Sequence, residues 1–436
     1  MRWLALGTAV LGVFIWRSGR VARHTILTKS AFPVGYYASG DFATSCSPIA
    51  PADDPAFNDL KYCEDETFWD VWNGQGSLQT RHLILSCDSN RKAWNTVMGP
   101  LRDPKPRGSL WLNTLTSNEG EEDAIPVRMV FQNYPEGHDF HPLGLEVSPS
   151  HAGNTSNLFV VNHARQRTTI EHFSVDPSNP TIALYLRTLS TPYFVSPNSI
   201  ALTSPTSFYV TNDHFFTRRL AWVGKFLPIT ESILALPLGW VAHVALIPNP
   251  LDPSGEPIFS HTVSALGIPF ANGIALSPDG SIVAVASTTL GEVYFYQREP
   301  KDNTIKRIDS VPVPFTPDNI AFDDSGVLIV TGHPHFPSIV GVAANKTEVA
   351  PSWTVAVVPR SSVSKQRDLR SEYDTQAPIS AGLKAPAVMS HEVETLFQSN
   401  GTGFSTSSTA LRDARSGRLY LTGLYAENGA IVCRPS

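Results

Sequence analysis

Three short stretches of the sequence begin with a polar side chain and continue as an apolar run: SPNSIAL (196–202), FANGIAL (270–276) and TPDNIAF (316–322). Asparagine is uncommon in strands and usually belongs to turns, so its repeated place at the head of an apolar run needs an explanation. If the runs are neighbouring strands, the leading oxygen atoms meet at one place. The residues that would contribute these oxygens are Glu64, Asp65, Asn198, Asn272, Asp318 and Asn319.

Carboxylate and amide oxygens in this number are the ligands that Ca²⁺ prefers, because this ion takes about six to eight oxygens. A zinc site is not indicated, since the sequence shows no paired histidines or cysteines at zinc spacing. A turn-capping role is the alternative for any single position. The set as a whole favours a calcium site.

Three histidines occupy matching places after apolar runs: His163 in VVNHA, His214 in TNDHF and His333 in TGHPH. A single histidine is most often a hydrogen-bonded structural residue. Three at equivalent positions predict a ring around a common centre, and a packing layer is the alternative. Of the three, we assign a catalytic role only to His163.

The elements that must position these residues are short strands. The chain has 35 prolines and 29 glycines, with β-branched and aromatic residues in short runs, which favours an all-β fold. Strand pairs recur six times along the 436 residues, and SPDG (277–280), DDSG (323–326) and RSG (415–417) lead into three of them. Several short strands per unit, repeated six times, predict a six-bladed β-propeller over residues 41–436. A β-sandwich, the alternative, would not give six copies of one pattern.

A propeller brings the leading residues of its innermost strands together at one face of the central channel, and it must also close its ring. Cys46 precedes the first unit and Cys433 ends the last, so a disulfide between them would fasten the two ends. Cys63 and Cys87 would then pair with each other. Four cysteines allow three pairings, and the sequence leaves the choice open.

The first 20 residues, MRWLALGTAVLGVFIWRSGR, have arginines on both sides of a run of 14 apolar or small residues. The run is shorter than the roughly 20 residues of a spanning helix and predicts a signal peptide or an uncleaved signal anchor. The even number of cysteines and the sequons at Asn154, Asn345 and Asn400 agree with a glycoprotein of the secretory pathway, secreted or anchored facing the lumen or the outside. The net charge of −6 without a basic block argues against nucleic-acid binding.

The chain resembles the serum paraoxonase/arylesterase family of calcium-dependent lactonases and esterases, which are six-bladed propellers. The resemblance runs in order from about Cys63 to Cys433. It rests on the segments LFVVNHARQRTTIEHF, SFYVTNDHFF, FANGIALSPDG, TPDNIAFDDSGVLIVTGHPH and ETLFQSNGTGFSTSSTA.

The resemblance implies roles for individual residues. Asp65 would help to hold a second, structural calcium, and His163 would match the second histidine of a catalytic pair. Cys46 and Cys433 would form the disulfide that closes the ring, and the N-terminal leader would be retained. The catalytic calcium would be held by Glu64, Asn198, Asn272, Asp318 and Asn319.

Two positions depart from the family pattern. Where the family motif reads Pro-His-Gly, this chain has HPLGL, so Leu143 stands at the position of the first catalytic histidine. His141, two residues away, is the alternative residue for this role, but an incidental surface histidine is the preferred interpretation. Ser199 stands where the family has an aspartate, which removes a charge from the structural calcium site and makes the second ion doubtful.

The function implied by the resemblance is calcium-dependent hydrolysis of small lipophilic lactones or aryl esters, with room for a side activity on phosphotriesters. With Leu143 in place, the base that assists the attacking water would be His163, Glu64 or Asp318. The alternative is a non-catalytic, calcium-stabilised binding scaffold, for which Leu143 is the reason. A related propeller with strictosidine-synthase-like chemistry is disfavoured by the calcium-ligand set.

Two further segments carry predictions. Residues 226–248 are apolar apart from Glu231, and the resemblance places a membrane-facing lid there, with partial core burial as the alternative. Together with residues 1–20 this segment would contact a membrane or lipid surface. Residues 361–390 are polar and predict a surface insertion between the fifth and sixth blades.

Overall fold

The computed structural model describes residues 2–27, 32–38, 46–51, 54–116, 122–247, 258–360 and 390–434. The helical elements are α1 Arg2–Val21, a π-helical turn Ala22–Leu27, a 3₁₀ turn Pro55–Phe57, α2 Leu227–Ile233 and α3 Phe336–Ala343. The strands, in chain order, are β1 Tyr37–Ala38, β2 Cys46–Pro48, β3 Cys63–Trp72, β4 Leu78–Asp88, β5 Gly108–Leu115, β6 Val127–Arg128, β7 Val130–Gln132, β8 Pro142–Val147, β9 Ser150–His151, β10 Ser156–Asn162, β11 Thr169–Val175, β12 Ile182–Leu189, β13 Pro197–Ser204, β14 Ser207–Asn212, β15 Gly239–Ile247, β16 Ile258–Ile268, β17 Ala271–Leu276, β18 Ile282–Ser287, β19 Glu292–Glu299, β20 Thr304–Pro312, β21 Thr316–Phe322, β22 Leu328–His333, β23 Ser352–Pro359, β24 His391–Ser399, β25 Ser407–Asp413, β26 Arg418–Gly423 and β27 Ala430–Cys433.

These strands form six sheets, which confirms the predicted six-bladed propeller. In strand order the blades are β6-β5-β4-β3-β9, β7-β12-β11-β10-β8, β13-β14-β15-β16, β17-β18-β19-β20, β1-β24-β23-β22-β21 and β2-β27-β26-β25. We number them one to six in that order. Strand β1 precedes residue 41 and extends the outer edge of blade five.

The innermost strands β3, β8, β13, β17, β21 and β25 each pack against the next, and β25 packs against β3, so the ring is closed. The apolar core lies between blades, because alternate side chains of a strand point to opposite faces. Phe159 of blade two, for example, packs against Phe208 of blade three with 4.9 Å between ring centroids, and both are fully buried. Each of the six blade interfaces carries an apolar cluster of this kind.

A β-bulge interrupts the start of four innermost strands at the positions of the predicted ligands. The pairing register shifts between Cys63 and Asp65 in β3, and between Pro197 and Ile200 in β13. The same shift follows Ala271 in β17 and Pro317 in β21. A bulge leaves the extra residue unpaired and changes where its side chain points. This explains why asparagines stand at the head of apolar strands.

The ends of the chain meet in blade six. Strand β2 pairs with β27, and Cys46 lies opposite Cys433, to which it is joined by a disulfide. Cys63 and Cys87 face each other on β3 and β4 and form the second disulfide. Of the three pairings that the sequence allows, the structure has the one that closes the ring.

The N-terminal residues form α1, whose described side chains include exposed Leu11, Ile15 and Trp16. Within the described residues, no helix is long and apolar enough to cross a membrane. The π-helical turn that follows α1 packs against α3, and His335 hydrogen-bonds the Ile26 carbonyl oxygen at 3.2 Å. Helix α1 therefore joins the propeller on the face that carries α3.

The apolar segment 226–248 divides into two parts. Helix α2 lies outside the sheets, and its Ile229 and Ile233 are exposed. Phe226, immediately before the helix, is exposed as well. Residues 239–247 are β15, a largely buried strand of blade three. The lid prediction for this second half was wrong, because strand pairing with β14 and β16 makes it part of the core.

The three sequons lie in loops. Asn154 and Asn345 are exposed and Asn400 is half-buried. Glycosylation of these residues stays a prediction. The predicted insertion at 361–390 lies outside the described residues, apart from Ser390.

Candidate metal centre

The starts of the innermost strands surround a cavity at one end of the central channel. Its volume is about 30 Å³, more than the roughly 10–15 Å³ that one water needs. Its polar lining residues are Glu64, Asn95, Asn198, Asn272, Thr288, Asp318 and His333. Its apolar lining residues, which we call the apolar wall, are Val97, Met98, Leu143, Phe270, Phe336 and Leu424.

Two glycines allow the inner strands to approach each other closely here. A Cβ on Gly144 would lie 2.2 Å from the carbonyl oxygen of Asn198, and a Cβ on Gly273 would lie 2.6 Å from the Cα of Asn319. Neither distance leaves room for a side chain. The ring at this level can therefore be tight only with glycine at both positions.

Each of the three amides is held by its nitrogen. Asn272 Nδ2 donates to Asp318 Oδ1 at 2.6 Å, and Asn319 Nδ2 donates to Glu64 Oε1 at 2.9 Å. Asn198 Nδ2 donates to Asp213 Oδ2 at 3.1 Å. Because every nitrogen is bound to a carboxylate, the orientation of each amide is determined, and its oxygen is left for another partner.

Those amide oxygens are buried and have no hydrogen-bond partner among the described residues. They are Asn198 Oδ1, Asn272 Oδ1 and Asn319 Oδ1. One carboxylate oxygen, Glu64 Oε2, is likewise buried without a partner among the described residues. A buried polar atom without a partner costs about 1–3 kcal/mol. Three of them on residues that line one cavity, and a fourth on Asn319, which hydrogen-bonds Glu64, indicate a missing ligand. The ligand must be an acceptor of electron pairs, and the hard oxygen atoms fit Ca²⁺.

The electrostatics of the carboxylates agree with a cation. Burial, followed by the charges of Asp65 and Asp318, raises the pKa of Glu64 well above its ordinary value. A bound cation would relieve this repulsion between buried acids. Within the described part of the chain, no three His, Cys, Asp or Glu side chains are grouped to hold a metal, so a calcium ion here depends on the amide oxygens.

The residues for a second, structural calcium do not fit an ion in the same way. Asp65 Oδ1 accepts from Thr409 Oγ1 and the Glu66 amide, both at 2.9 Å, and Asp65 Oδ2 accepts from the Leu145 amide at 3.0 Å. Burial raises the pKa of Asp65 to about 6, against these hydrogen bonds. Both oxygens are thus engaged by the protein, and Ser199 supplies only a hydroxyl nearby.

The predicted catalytic histidine does not line the cavity. His163 is buried, its Nε2 lies 2.9 Å from the Pro197 carbonyl oxygen, and its Nδ1 hydrogen-bonds Thr96. Burial, followed by the charge of Arg219, lowers the pKa of His163 to about 3, so the ring is neutral. It lines a smaller neighbouring cavity together with His214.

Leu143 lines the cavity, whereas His141 does not. Leu143 forms part of the apolar wall of the cavity. The expectation that His141 is an incidental surface residue was wrong, because it is only 2 % exposed. Its Nδ1 lies 2.8 Å from Asp88, and its Nε2 lies 3.1 Å from the Pro104 carbonyl oxygen. Both ring nitrogens are therefore engaged away from the cavity.

Of the three histidines at matching positions, His333 is the one that lines the cavity with the predicted ligands. Its Nε2 lies 2.8 Å from Asp318 Oδ2, and its Nδ1 is buried without a partner among the described residues. The predicted ring of three histidines around the channel stays a prediction. His163 and His214 lie to one side of the site, and His333 adjoins it.

Three polar residues that support the amides were not predicted. Asp213 accepts a hydrogen bond from Asn198 Nδ2. Thr288 Oγ1 accepts one from Asn272 Nδ2 at 3.0 Å, and Thr409 Oγ1 accepts one from Asn319 Nδ2 at 2.9 Å. Asp213 stands beside His214 in TNDHF, so the motif contained the signal. Nothing in the sequence pairs it with Asn198.

Known proteins resemble this chain in sequence. The arylesterase family matches residues 101–368, which is more than half of the chain. The chain belongs to the arylesterase family. Serum paraoxonase/arylesterase 2 of Bos taurus is 30% identical over 197 residues, 45% of this chain and 50% of that protein. The same protein of Canis lupus familiaris is 27% identical over 292 residues, 66% and 69% of the two chains.

A third arylesterase relative, serum paraoxonase/lactonase 3 of Homo sapiens, is 27% identical over 234 residues, 53% of this chain and 59% of that protein. The chain thus spans between half and about two thirds of these relatives. Among solved structures, a gluconolactonase from Xanthomonas campestris has a TM-score of 0.40 at 14% identity, covering 93% of this chain and 100% of that one. A luciferin-regenerating enzyme has 0.43 at 10%, covering 89% and 94%. Resemblance at this level says nothing about substrate.

Proposed function

We propose that this arylesterase-family protein is a calcium-dependent hydrolase of lactones and aryl esters. The observation that carries the proposal is a set of buried oxygen atoms without partners among the described residues. Those of Glu64, Asn198 and Asn272 belong to residues that line one cavity, and that of Asn319 belongs to a residue that hydrogen-bonds Glu64. Asp318, which lines the same cavity, would complete the ligand set. Family membership supports the reaction class.

When bound, calcium would polarise the ester carbonyl and offset the negative charge that develops on its oxygen. The chain's own residues would do the rest. The apolar wall, with Leu143 and Phe270, would hold the hydrocarbon part of the substrate and exclude water from it. Water would add to the carbonyl carbon and the acyl carbon–oxygen bond would break, so a lactone gives a hydroxy acid.

A proton must leave the attacking water. The sequence indicates three acceptors for it, Glu64, Asp318 and His163. Glu64 and Asp318 line the cavity, whereas His163 does not, which supports a carboxylate as the acceptor. A carboxylate that shares a metal has a low pKa and is a mediocre base. The proposal therefore includes slow turnover relative to a histidine base. A phosphotriester, whose phosphoryl oxygen suits the same ion, is the side substrate.

We also propose that lipophilic substrates arrive from a lipid surface. The segment 215–233 exposes Phe215, Trp222, Phe226 and Ile229, with Trp222 at 94 % exposure. An apolar surface of this kind on a face that carries the cavity suits a membrane or lipoprotein. The two disulfides support a secreted protein or one anchored facing the lumen or the outside.

A second candidate function is a calcium-stabilised scaffold without catalysis. Leu143 favours it, because a leucine cannot accept a proton and it stands in the cavity wall. The engaged nitrogens of His163 and His141 favour it as well. Under this alternative the metal would be bound but no ester would be turned over.

The test is expression of the full chain in a secretory host, followed by assays on aliphatic lactones, phenyl acetate and a phosphotriester. Each assay is run with calcium and with excess chelator. We expect turnover that the chelator abolishes and that Asn272→Ala removes, while the exposed control Asn179→Ala retains it. Calcium binding without turnover in the parent, together with turnover in Leu143→His, would establish the scaffold instead.

A further inference from the structure

A second cavity lies at the end of blade two, between the loop that precedes β8 and the loop 163–168 that follows β10. Its volume is about 470 Å³, within the range of roughly 300–1,000 Å³ that small-molecule sites occupy. None of the proposed calcium ligands lines it. Among its described lining residues only Gly137 and Ala164 lack a polar side chain, so a ligand here must be polar. The lining residues with charged or hydroxyl groups include His138, Asp139, Arg165, Arg167, Thr188 and Ser190.

Two guanidinium groups reach this cavity from the same loop. Arg165 and Arg167 are two residues apart, and both are exposed. Arg167 Nη1 donates to Ser190 Oγ at 2.8 Å, and Arg165 Nη2 lies 3.4 Å from Asp139 Oδ1. No other described residue accepts a hydrogen bond from either guanidinium group, so most of their N–H groups are left for a ligand. Two guanidinium groups against the single carboxylate of Asp139 leave one positive charge at the cavity.

Hydrogen bonds tie the loop that carries the arginines to the loop before β8. The Arg165 amide donates to Asp139 Oδ2 at 3.1 Å, and the His163 amide donates to the His141 carbonyl oxygen at 2.9 Å. A site that is ordered before it binds loses less conformational entropy on binding. The backbone from which the two guanidinium groups extend is therefore preorganised.

A buried acid behind the cavity has its charge compensated by the protein. Glu171 is fully buried. Its Oε1 accepts from His138 Nε2 at 3.0 Å, from Asn162 Nδ2 at 2.8 Å and from Thr169 Oγ1 at 2.7 Å. Its Oε2 accepts from Thr188 Oγ1 at 2.5 Å. The hydrogen bond to Glu171 raises the pKa of His138, which favours a protonated ring beside this carboxylate. The charge that remains at the cavity is therefore that of the arginines.

We propose that this cavity binds a small hydroxycarboxylate monoanion, with its carboxylate on Arg165 and Arg167. A planar guanidinium group matches a carboxylate because it offers two parallel N–H groups. Asp139 and Ser190, beside the arginines, have oxygen atoms that accept hydrogen bonds, so they suit a ligand that also carries hydroxyl groups. A phosphate dianion fits less well, since Asp139 would repel its second negative charge. The inference does not depend on the proposed hydrolysis, although a hydroxy acid is what a lactone gives.

The experiment is calorimetric titration of the full chain, at a fixed calcium concentration, with gluconate, a monoanion rich in hydroxyl groups. Hexanoate has the same chain length without the hydroxyls, sorbitol has the hydroxyls without the charge, and inorganic phosphate carries more charge. We expect gluconate to bind about tenfold more tightly than each of the three, because each lacks part of the complementary chemistry. Binding of any of them as tight as that of gluconate would overturn the assigned ligand class.

Arg128 gives a matched control for the two arginines. On blade one, Arg128 is 52 % exposed and pairs with Asp59 at 3.1 Å, much as Arg165 is 54 % exposed and pairs with Asp139. We expect Arg165→Gln and Arg167→Gln each to raise the gluconate Kd about tenfold, because each removes a charge-assisted contact. Arg128→Gln should stay close to the parent. Thermal unfolding in parallel verifies that the variants are folded.

Two results would overturn the site itself. One is the absence of gluconate binding to the parent chain. The other is a gluconate affinity that is the same in the parent, Arg165→Gln and Arg167→Gln, which would mean that the anion binds elsewhere, for example at the proposed calcium site. Ester hydrolysis enters neither measurement, so both results leave the proposed function to its own test.

Discussion

At the residue scale, the site depends on which atom of each amide is already used. Asn272 and Asn319 give their nitrogens to Asp318 and Glu64, which are themselves proposed ligands. The carboxylates thus have two tasks, since they orient an amide and face the cavity. The proposed calcium site would carry only two negative charges. That low charge suits the high calcium concentration outside the cell better than the low concentration that a cytosolic sensor detects.

Glu146 on β8, a half-buried acid that is not among the predicted ligands, gives a prediction for pH. Burial raises its pKa to about 7, against a hydrogen bond from Thr67. In the folded protein Glu146 therefore keeps a proton that it releases above about pH 4.3 in the unfolded chain. Its contribution to the free energy of unfolding falls as the pH rises from there toward 7. We expect Glu146→Gln to raise the free energy of unfolding by roughly 2 kcal/mol at pH 8 and to change little at pH 5.

Urea denaturation at the two pH values measures this difference. The exposed Glu136→Gln serves as the control and should show no pH-dependent change. Equal stabilisation by Glu146→Gln at pH 5 and pH 8 would mean that the group does not titrate in this range.

The variant His163→Gln tests whether His163 stabilises the fold or acts as the catalytic base. Because both nitrogens of His163 are engaged with Thr96 and Pro197, we expect the variant to lose roughly 1–3 kcal/mol of stability. Its kcat should fall less than tenfold, whereas a general base typically contributes about 10²–10⁴. Thermal unfolding and steady-state kinetics measure the two effects. A loss of kcat in the larger range at unchanged stability would assign the base to His163.

At the element scale, bulges at the start of the innermost strands turn ordinary blade strands into ligand carriers. In β17, residues 274–276 pair regularly with β18, whereas Asn272 and Gly273 fall in the irregular part. The regular part packs between blades and the irregular part faces the channel. One short strand thus serves both the core and the site.

The apolar segment 215–233 is the element that we expect to bind lipid. Replacement of Trp222 and Phe226 by serine removes two of its most exposed apolar side chains. We expect this double variant to lose most of its binding to phosphatidylcholine vesicles in a flotation assay, with unchanged hydrolysis of a water-soluble ester.

The matched control for lipid binding is Val263→Ser with Leu266→Ser, two exposed apolar residues on the outer strand β16. They lie on the outer edge of blade three and outside residues 215–233, so the control should still bind vesicles. Equal loss in both double variants would indicate a general effect of surface hydrophobicity and not a defined lipid surface.

At the scale of the whole molecule, ion pairs between blades and a disulfide within blade six hold the ring together. Arg81 of blade one forms ion pairs with Asp70 of its own blade at 2.6 Å, Asp324 of blade five at 2.9 Å and Asp413 of blade six at 3.0 Å. These contacts lie at the far end of the strands from the calcium ligands. The Cys46–Cys433 disulfide joins the termini within blade six.

The two disulfides should differ in their effects. Cys46–Cys433 spans 387 residues and Cys63–Cys87 spans 24, so loop-closure entropy predicts losses of roughly 5 and 3 kcal/mol when each pair is replaced by serine. Cys63 directly precedes Glu64, and we therefore expect its removal to weaken calcium binding as well. Denaturant unfolding and calcium titration of the two double variants test both points. A larger stability loss for the Cys63–Cys87 pair would contradict the entropic account.

The sequence by itself determined the six-bladed ring and left its closing disulfide as one of three pairings, because strand repeats are local patterns. It also named Glu64, Asn198, Asn272 and Asp318, which line one cavity, although their role as metal ligands stays a prediction. The tertiary structure alone decided the roles of Asp213, His141 and the segment 226–248. A local pattern cannot show that Asp213 receives the Asn198 amide, that His141 pairs with the buried Asp88, or that residues 239–247 form a core strand. Those facts depend on which strands become neighbours when the ring closes, and so does the orientation of every amide at the site.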